Sequence, residues 1–132
     1  MGISRFFITL VLSVILIKCE LGVDFSTLQP VSYFLCLKEA GYNFAVPRAF
    51  HSFGSIDLNA VPNLNNARSA GLKTDIYMFP CRGKSATAQV DELVQKIPEN
   101  LYDTIWVDVE TNPSTGCSWN TSNFTSNCDY LE

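Results

Sequence analysis

Short apolar segments of strand length alternate with segments of helix length along this chain, and that alternation restricts the fold more than any other feature. Four strand-like segments can be read along the chain, the first at residues 21–26 and the last, a buried one, at 104–107. Between them, residues 31–40 read as a helix with Pro30 near its start and Gly41 at its end, where the backbone commonly needs a positive φ. Residues 62–70 read as a weaker helix closed by Gly71. Residues 85–97 carry Val90, Leu93, Val94 and Ile97 at i, i+3, i+4 and i+7, with Ser85 placed to cap the start and Pro98 to stop the end. A strand–helix repeat of about 25 to 30 residues predicts right-handed crossovers and a parallel sheet, hence an α/β fold. Two architectures remain open on this pattern: an arc of a (β/α)8 barrel, or a doubly wound sheet of the flavodoxin kind. No glycine-rich phosphate loop speaks for the second.

The fourth strand runs into Asp108-Val109-Glu110. Side chains at i and i+2 of a strand point to the same face, roughly 6.5 Å apart along the backbone, so both carboxylates look into one space. Paired carboxylates suit acid/base work on a glycosidic bond. An ordinary strand end, where Asp and Glu open a solvated loop, has the same spacing. The first strand also ends in an acid, Asp24. If the sheet belongs to a barrel, Asp24, Arg48, Tyr77, Asp108 and Glu110 all lie at or near the C-terminal strand ends, where such folds gather their chemistry. Tyr77 is placed to stack on or hydrogen-bond a sugar, or else to fill the core. Arg48 either pairs with a catalytic carboxylate or is a strand-end surface charge. Trp106 shares the face of Asp108 and Glu110, which predicts filling beneath the site more than a sugar platform. His51 has no nearby nucleophile to serve and reads as structural.

Gly22-Val23-Asp24-Phe25-Ser26 and Trp106-Val107-Asp108-Val109-Glu110, with Tyr42-Asn43-Phe44-Ala45-Val46-Pro47-Arg48-Ala49 and Asp75-Ile76-Tyr77-Met78-Phe79-Pro80-Cys81 between them, resemble the signatures of glycoside hydrolase family 25, the Chalaropsis-type lysozymes, and in particular their secreted animal and protist branch. The resemblance runs from about Gly22 to the C-terminus. It implies a (β/α)8 barrel and a muramidase that cuts the β-1,4 bond between N-acetylmuramic acid and N-acetylglucosamine in bacterial peptidoglycan, in digestion or antibacterial defence. It further implies that Glu110 protonates the leaving oxygen, that Asp108 orients or stabilises charge beside it, and that Asp24 is a third carboxylate on the rim. No metal or organic cofactor is implied. The family continues through four more strands where this chain stops at Glu132, which predicts a C-terminally incomplete domain over 21–132. A non-catalytic secreted product that binds glycan or protein is the alternative.

The N-terminus supports a secretory route. Arg5 precedes an apolar run over 6–17 broken only by Thr9 and Ser13, the shape of a signal peptide over residues 1–20 and too short for a comfortable membrane span, although an uncleaved anchor has a similar outline. Removing it takes away Cys19 and leaves Cys36, Cys81, Cys117 and Cys128, an even set suited to a disulfide-forming compartment. Cys36 in the first helix and Cys81 after the third strand form one expected pair, and Cys117 with Cys128 in the loop-rich tail form the other. Zinc is a weak rival, because no C-x-x-C pair is present and His51 is the only histidine. Asn120-Thr121-Ser122 and Asn123-Phe124-Thr125 are sequons for N-glycosylation in the polar tail. A formal net charge of −4 supplies no basic footprint for nucleic acid or an anionic surface. The expected setting is therefore secreted, or the lumen of a lysosomal or digestive compartment, with no stable membrane insertion after signal cleavage.

Overall fold

The computed structural model describes residues 19–132, so the expected signal segment lies almost wholly outside the described residues. In chain order the elements are β1 (Gly22–Phe25), α1 (Val31–Glu39), β2 (Phe44–His51), β3 (Ser55–Ile56), α2 (Ala60–Ser69), β4 (Lys73–Thr74), β5 (Ile76–Met78), α3 (Ala86–Lys96), β6 (Ile105–Val107) and α4 (Phe124–Leu131). Pro30 stands at the N-cap of α1, and Gly41 and Gly71 take positive φ just past the first two helices, at 93° and 80°. The Ser85 hydroxyl accepts from the amide of Ala88 and caps α3. Among the described residues no helix is long and apolar enough to cross a membrane.

The sheet order is β1-β2-β5-β6, with every pairing along this path parallel. Spatial order thus follows chain order. A doubly wound sheet reverses direction at its switch point and carries helices on both faces. Here the contacts of all three crossover helices fall on one face. Phe34 of α1 and Ala67 of α2 meet Ala45 of β2, while Leu64 of α2 and Leu93 and Ile97 at the end of α3 meet Ala49, Ile76 and Met78. Successive parallel strands with helices on one side form an arc of a (β/α)8 barrel, and this decides between the two architectures left open above.

Two short strands go beyond the expected four. β4 and β5 are one strand in two pieces: Ala45 pairs with Thr74 and Arg48 with Tyr77 at the same offset, and the Asp75 amide between them donates to the Ala45 carbonyl at 3.1 Å. β3 returns antiparallel on the end of β2 through a turn at Gly54, whose φ is 79°. The register slips between Arg48 and Phe50, and this bulge puts the successive residues Ala49 and Phe50 both into the core. In α3 the expected apolar stripe is only half covered. Leu93 and Ile97 are buried, but Val90 and Val94 stay exposed.

The disulfide expectation is corrected. Cys81 is bonded to Cys117, with Cα atoms 4.4 Å apart, while Cys36 and Cys128 are free. The reason lies in the topology. Cys36 points outward from α1, whereas Cys81 sits at the end of β5, where the segment after β6 returns over the rim. Gly83 and Gly116 allow that return, since a side chain on Gly83 would collide with the Gly116 carbonyl. Arg82 then reaches the tail helix, donating from Nε to Asn127 and from Nη2 to Ser126, with its guanidinium 4.5 Å from the Tyr130 ring centre. Buried Gln89 of α3 bonds both the amide and the carbonyl of Cys81 and donates to the Tyr130 hydroxyl. A helix at 124–131 thus packs on the loop after β5.

Candidate active site

The sheet face opposite the helices carries mainly polar and aromatic side chains, with Val46 among them. Strand pleating puts Asp24 on it from β1, Val46 and Arg48 from β2, Tyr77 from β5 and Trp106 from β6. The register aligns Asp24 with Val46, Arg48 with Tyr77, and Tyr77 with Trp106. Regular strand structure stops at Val107, but the Asp108 amide still donates to the Met78 carbonyl at 2.9 Å. The alternation therefore continues far enough to aim Asp108 and Glu110 the same way as Trp106. Asp24, Val46, Tyr77, Trp106, Val107, Asp108 and Glu110 line one open cavity of about 500 Å³. All three carboxylates singled out in the sequence share it.

Asp108 lies deepest of the three, half-buried, while Asp24 and Glu110 are exposed. Burial pushes the Asp108 carboxyl above the usual aspartate range, and the negative charges of Glu110 and Asp24 add to the rise. The Tyr77 hydroxyl is also pushed up by burial; Arg48 beside it pulls it back, and the charges of Asp108, Asp24 and Asp57 raise it further. Tyr77 therefore stays neutral and able to donate in the middle of the carboxylate group. Among the described residues no three His, Cys, Asp or Glu side chains are gathered to hold a metal ion.

Arg48 does not pair with a carboxylate of the cavity. Its Nε donates to Asp57 Oδ2 at 2.9 Å and its Nη2 to the Ser26 carbonyl at 3.4 Å. Asp57 is almost fully buried and also accepts from the Asn59 amide through Oδ1. It sits where a buried acid needs a cation, and Arg48 supplies one, with His51 Nε2 3.6 Å from the same oxygen. Sequence reasoning missed this acid, although an Asp in a turn just before a helix is a visible signal. It also missed the role of Asp75, which accepts from the Thr104 amide and from the Trp106 indole N–H at 2.9 Å. An aspartate inside a β run is unfavourable unless its oxygens have such partners. Trp106 departs from the expected role of filling. It is 53% exposed, its ring held by Asp75 and one face open to the cavity.

Comparison with known proteins places this geometry in a family. Residues 16–132 match the family model described as Lysozyme-like protein 1. Lysozyme-like protein 5 of Caenorhabditis elegans is 35% identical over 115 residues, 81% of this chain and 53% of that protein. Probable GH family 25 lysozyme 2 of Dictyostelium discoideum is 40% identical over 94 residues, 67% of this chain and 44% of that protein. Among solved structures, a muramidase from Trichobolus zukalii superposes with a TM-score of 0.67 over 86% of this chain and 56% of its own; at 18% identity that likeness concerns the fold. The chain spans about half the length of the curated relatives it matches. With its parallel strands in chain order, its one-sided helices and these relatives, the chain belongs to the lysozyme-like family, of the glycoside hydrolase family 25 type.

Proposed function

We propose that this protein acts as a muramidase, hydrolysing the β-1,4 bond between N-acetylmuramic acid and N-acetylglucosamine in bacterial peptidoglycan. The observation that carries the reading is the shared cavity of Asp24, Asp108 and Glu110. Glu110 protonates the glycosidic oxygen as the bond to the anomeric carbon breaks, Asp108 and Asp24 offset the positive charge that develops on the sugar ring, and water then bonds to the anomeric carbon, its released proton restoring the Glu110 carboxyl. Tyr77, neutral and half-buried among them, hydrogen-bonds the bound sugar, and Arg48, fixed by Asp57, keeps positive charge near Tyr77. The names of the C. elegans and D. discoideum relatives support this class of reaction.

Secretion belongs to the same reading, supported by the basic and apolar start of the chain and the Cys81–Cys117 disulfide. So does N-glycosylation. Asn123 is exposed and caps α4 through Oδ1, accepting from the Ser126 amide at 2.8 Å, which leaves its Nδ2 available for a glycan; Asn120 is exposed as well. A role in digestion or antibacterial defence follows from the substrate. Non-catalytic glycan binding is the second reading, favoured by the solvent exposure of Asp24 and Glu110.

Digestion of purified peptidoglycan by the full-length protein, followed by borohydride labelling and mass spectrometry of the fragments, separates the two. New reducing ends on N-acetylmuramic acid are expected. Retention on peptidoglycan without new ends supports the second reading, and new ends on N-acetylglucosamine contradict the first.

A further inference from the structure

At the C-terminal end of β2, outside the residues that line the carboxylate cavity, lies an aromatic pair, His51 and Phe53, that the acids do not use. Because of the bulge after Arg48, Ala49 and Phe50 both enter the core and His51 comes out on the side of Arg48, its Nε2 3.6 Å from the same Asp57 oxygen. The Phe53 ring stacks on the His51 ring, with centroids 4.7 Å apart and planes within 14°, and stays 51% exposed. A single exposed phenylalanine is ordinary. This one is held from several sides. Lys84 Nζ donates to the Gly54 carbonyl, Asn112 Nδ2 donates to the Ser52 carbonyl, and the Ser52 hydroxyl meets that of Ser114. Asn112 is itself buried and follows Glu110 in the same loop. The aromatic pair and the loop of the expected proton donor are therefore one braced unit.

Register gives the spacing. Phe50, Met78 and Val107 stand side by side across β2, β5 and β6, so His51 and Asp108, next along their strands, lie level with only β5 between them. Two strand spacings are about 10 Å. A glycan strand with its scissile bond at the carboxylates reaches that distance within a few sugar units.

We propose that Phe53, seated on His51, is a stacking platform for a sugar ring of the same glycan strand, one removed from the bond being cut. The inference rests on the muramidase reading above and adds a subsite to it. Pyranose rings present apolar C–H faces, and the negative face of an aromatic ring meets such edges favourably. A ring already fixed by its neighbours loses little freedom when the sugar arrives, so more of the contact appears as affinity.

Calorimetric titration of the full-length protein in a Glu110→Gln background, which prevents turnover, tests the platform with a disaccharide and a tetrasaccharide of alternating N-acetylglucosamine and N-acetylmuramic acid. Phe53→Ala is expected to weaken tetrasaccharide binding about two- to tenfold and to leave the disaccharide unchanged, and Phe53→Trp to restore the loss. The His51 ring protons should shift in the NMR spectrum with the tetrasaccharide alone. Equal weakening of both ligands, no weakening, or an unmoved His51 signal overturns the platform and leaves the muramidase reading standing. Absence of binding to either sugar overturns both.

Discussion

On β5, Ile76 and Met78 are sealed beneath α2 and α3, while Tyr77 between them looks into a cavity with three carboxylates. The same division runs through β2, where Ala45 and Ala49 are buried and Arg48 between them is held by Asp57 on the far face. The helix-covered face is built from groups whose only need is to leave water. The site face is built from groups that must keep water, charge or a partner. Like charges near one another and half-buried acids are costly, so the site face cannot also be the main source of stability. Substitutions on the two faces should consequently fail in different ways.

The largest effect on folding is expected on the covered face. Leu64→Ala empties a fully buried position of α2 against β5 and α3, and should cost about 2.7–5 kcal/mol by chemical denaturation with no direct effect on glycan binding. A loss below about 1 kcal/mol would show that this face is not the tightly packed one. Next comes the tie between the strand scaffold and the tail. Replacing Cys117 by Ser opens a link between residues 36 apart in sequence and should cost about 2–4 kcal/mol, and non-reducing peptide mapping should recover Cys81 joined to Cys117. Recovery of Cys36 linked to Cys81 would refute the topology of the tail. On the site face, Trp106→Phe keeps an aromatic ring but removes the N–H that bonds Asp75, and a cost of only about 0.5–1.5 kcal/mol is expected.

The smallest expected shift has the opposite sign. Asp108 has a folded-state pKa above its unfolded value, so the folded protein binds the extra proton between the two and stability falls as pH rises through that window. Asp108→Asn removes the charge that burial and its acidic neighbours oppose. Its thermal midpoint should exceed that of the parent near neutral pH, and the gain should vanish below the ordinary aspartate range. A gain that persists in strong acid would mean that the amide stabilises by packing and not by relief of repulsion.

How much of this was legible in the sequence depended on the range of the interaction. The strands around Val23, Val46, Tyr77 and Trp106 and the caps at Ser85, Gly41 and Gly71 are local patterns, and the structure has elements where those patterns fall. The convergence of Asp24 with Asp108 and Glu110 was legible only through the strand-end logic of the barrel, since 84 residues separate the first two in the chain. What stayed hidden was set by tertiary neighbours. Cys81 finds Cys117 because the loop after β6 folds back over β5, a path that spacing does not encode. Arg48 turns to Asp57, and His51 emerges beside it, because of one bulge that shifts the pleat after Arg48. Val90 and Val94 share a helical stripe with Leu93, yet only part of that stripe meets the sheet.

The proposed muramidase function assigns acid-catalysed glycoside cleavage to the site face and leaves stability to the covered face, and Glu110→Gln in the full-length protein separates the two. Glu110 is exposed, so the amide should leave the thermal midpoint unchanged, while release of reducing sugar from bacterial cell walls should fall by about 10²–10⁴-fold because the amide keeps the shape but cannot give the proton. A folded Glu110→Gln protein that releases reducing sugar at the parent rate would exclude Glu110 as the proton donor.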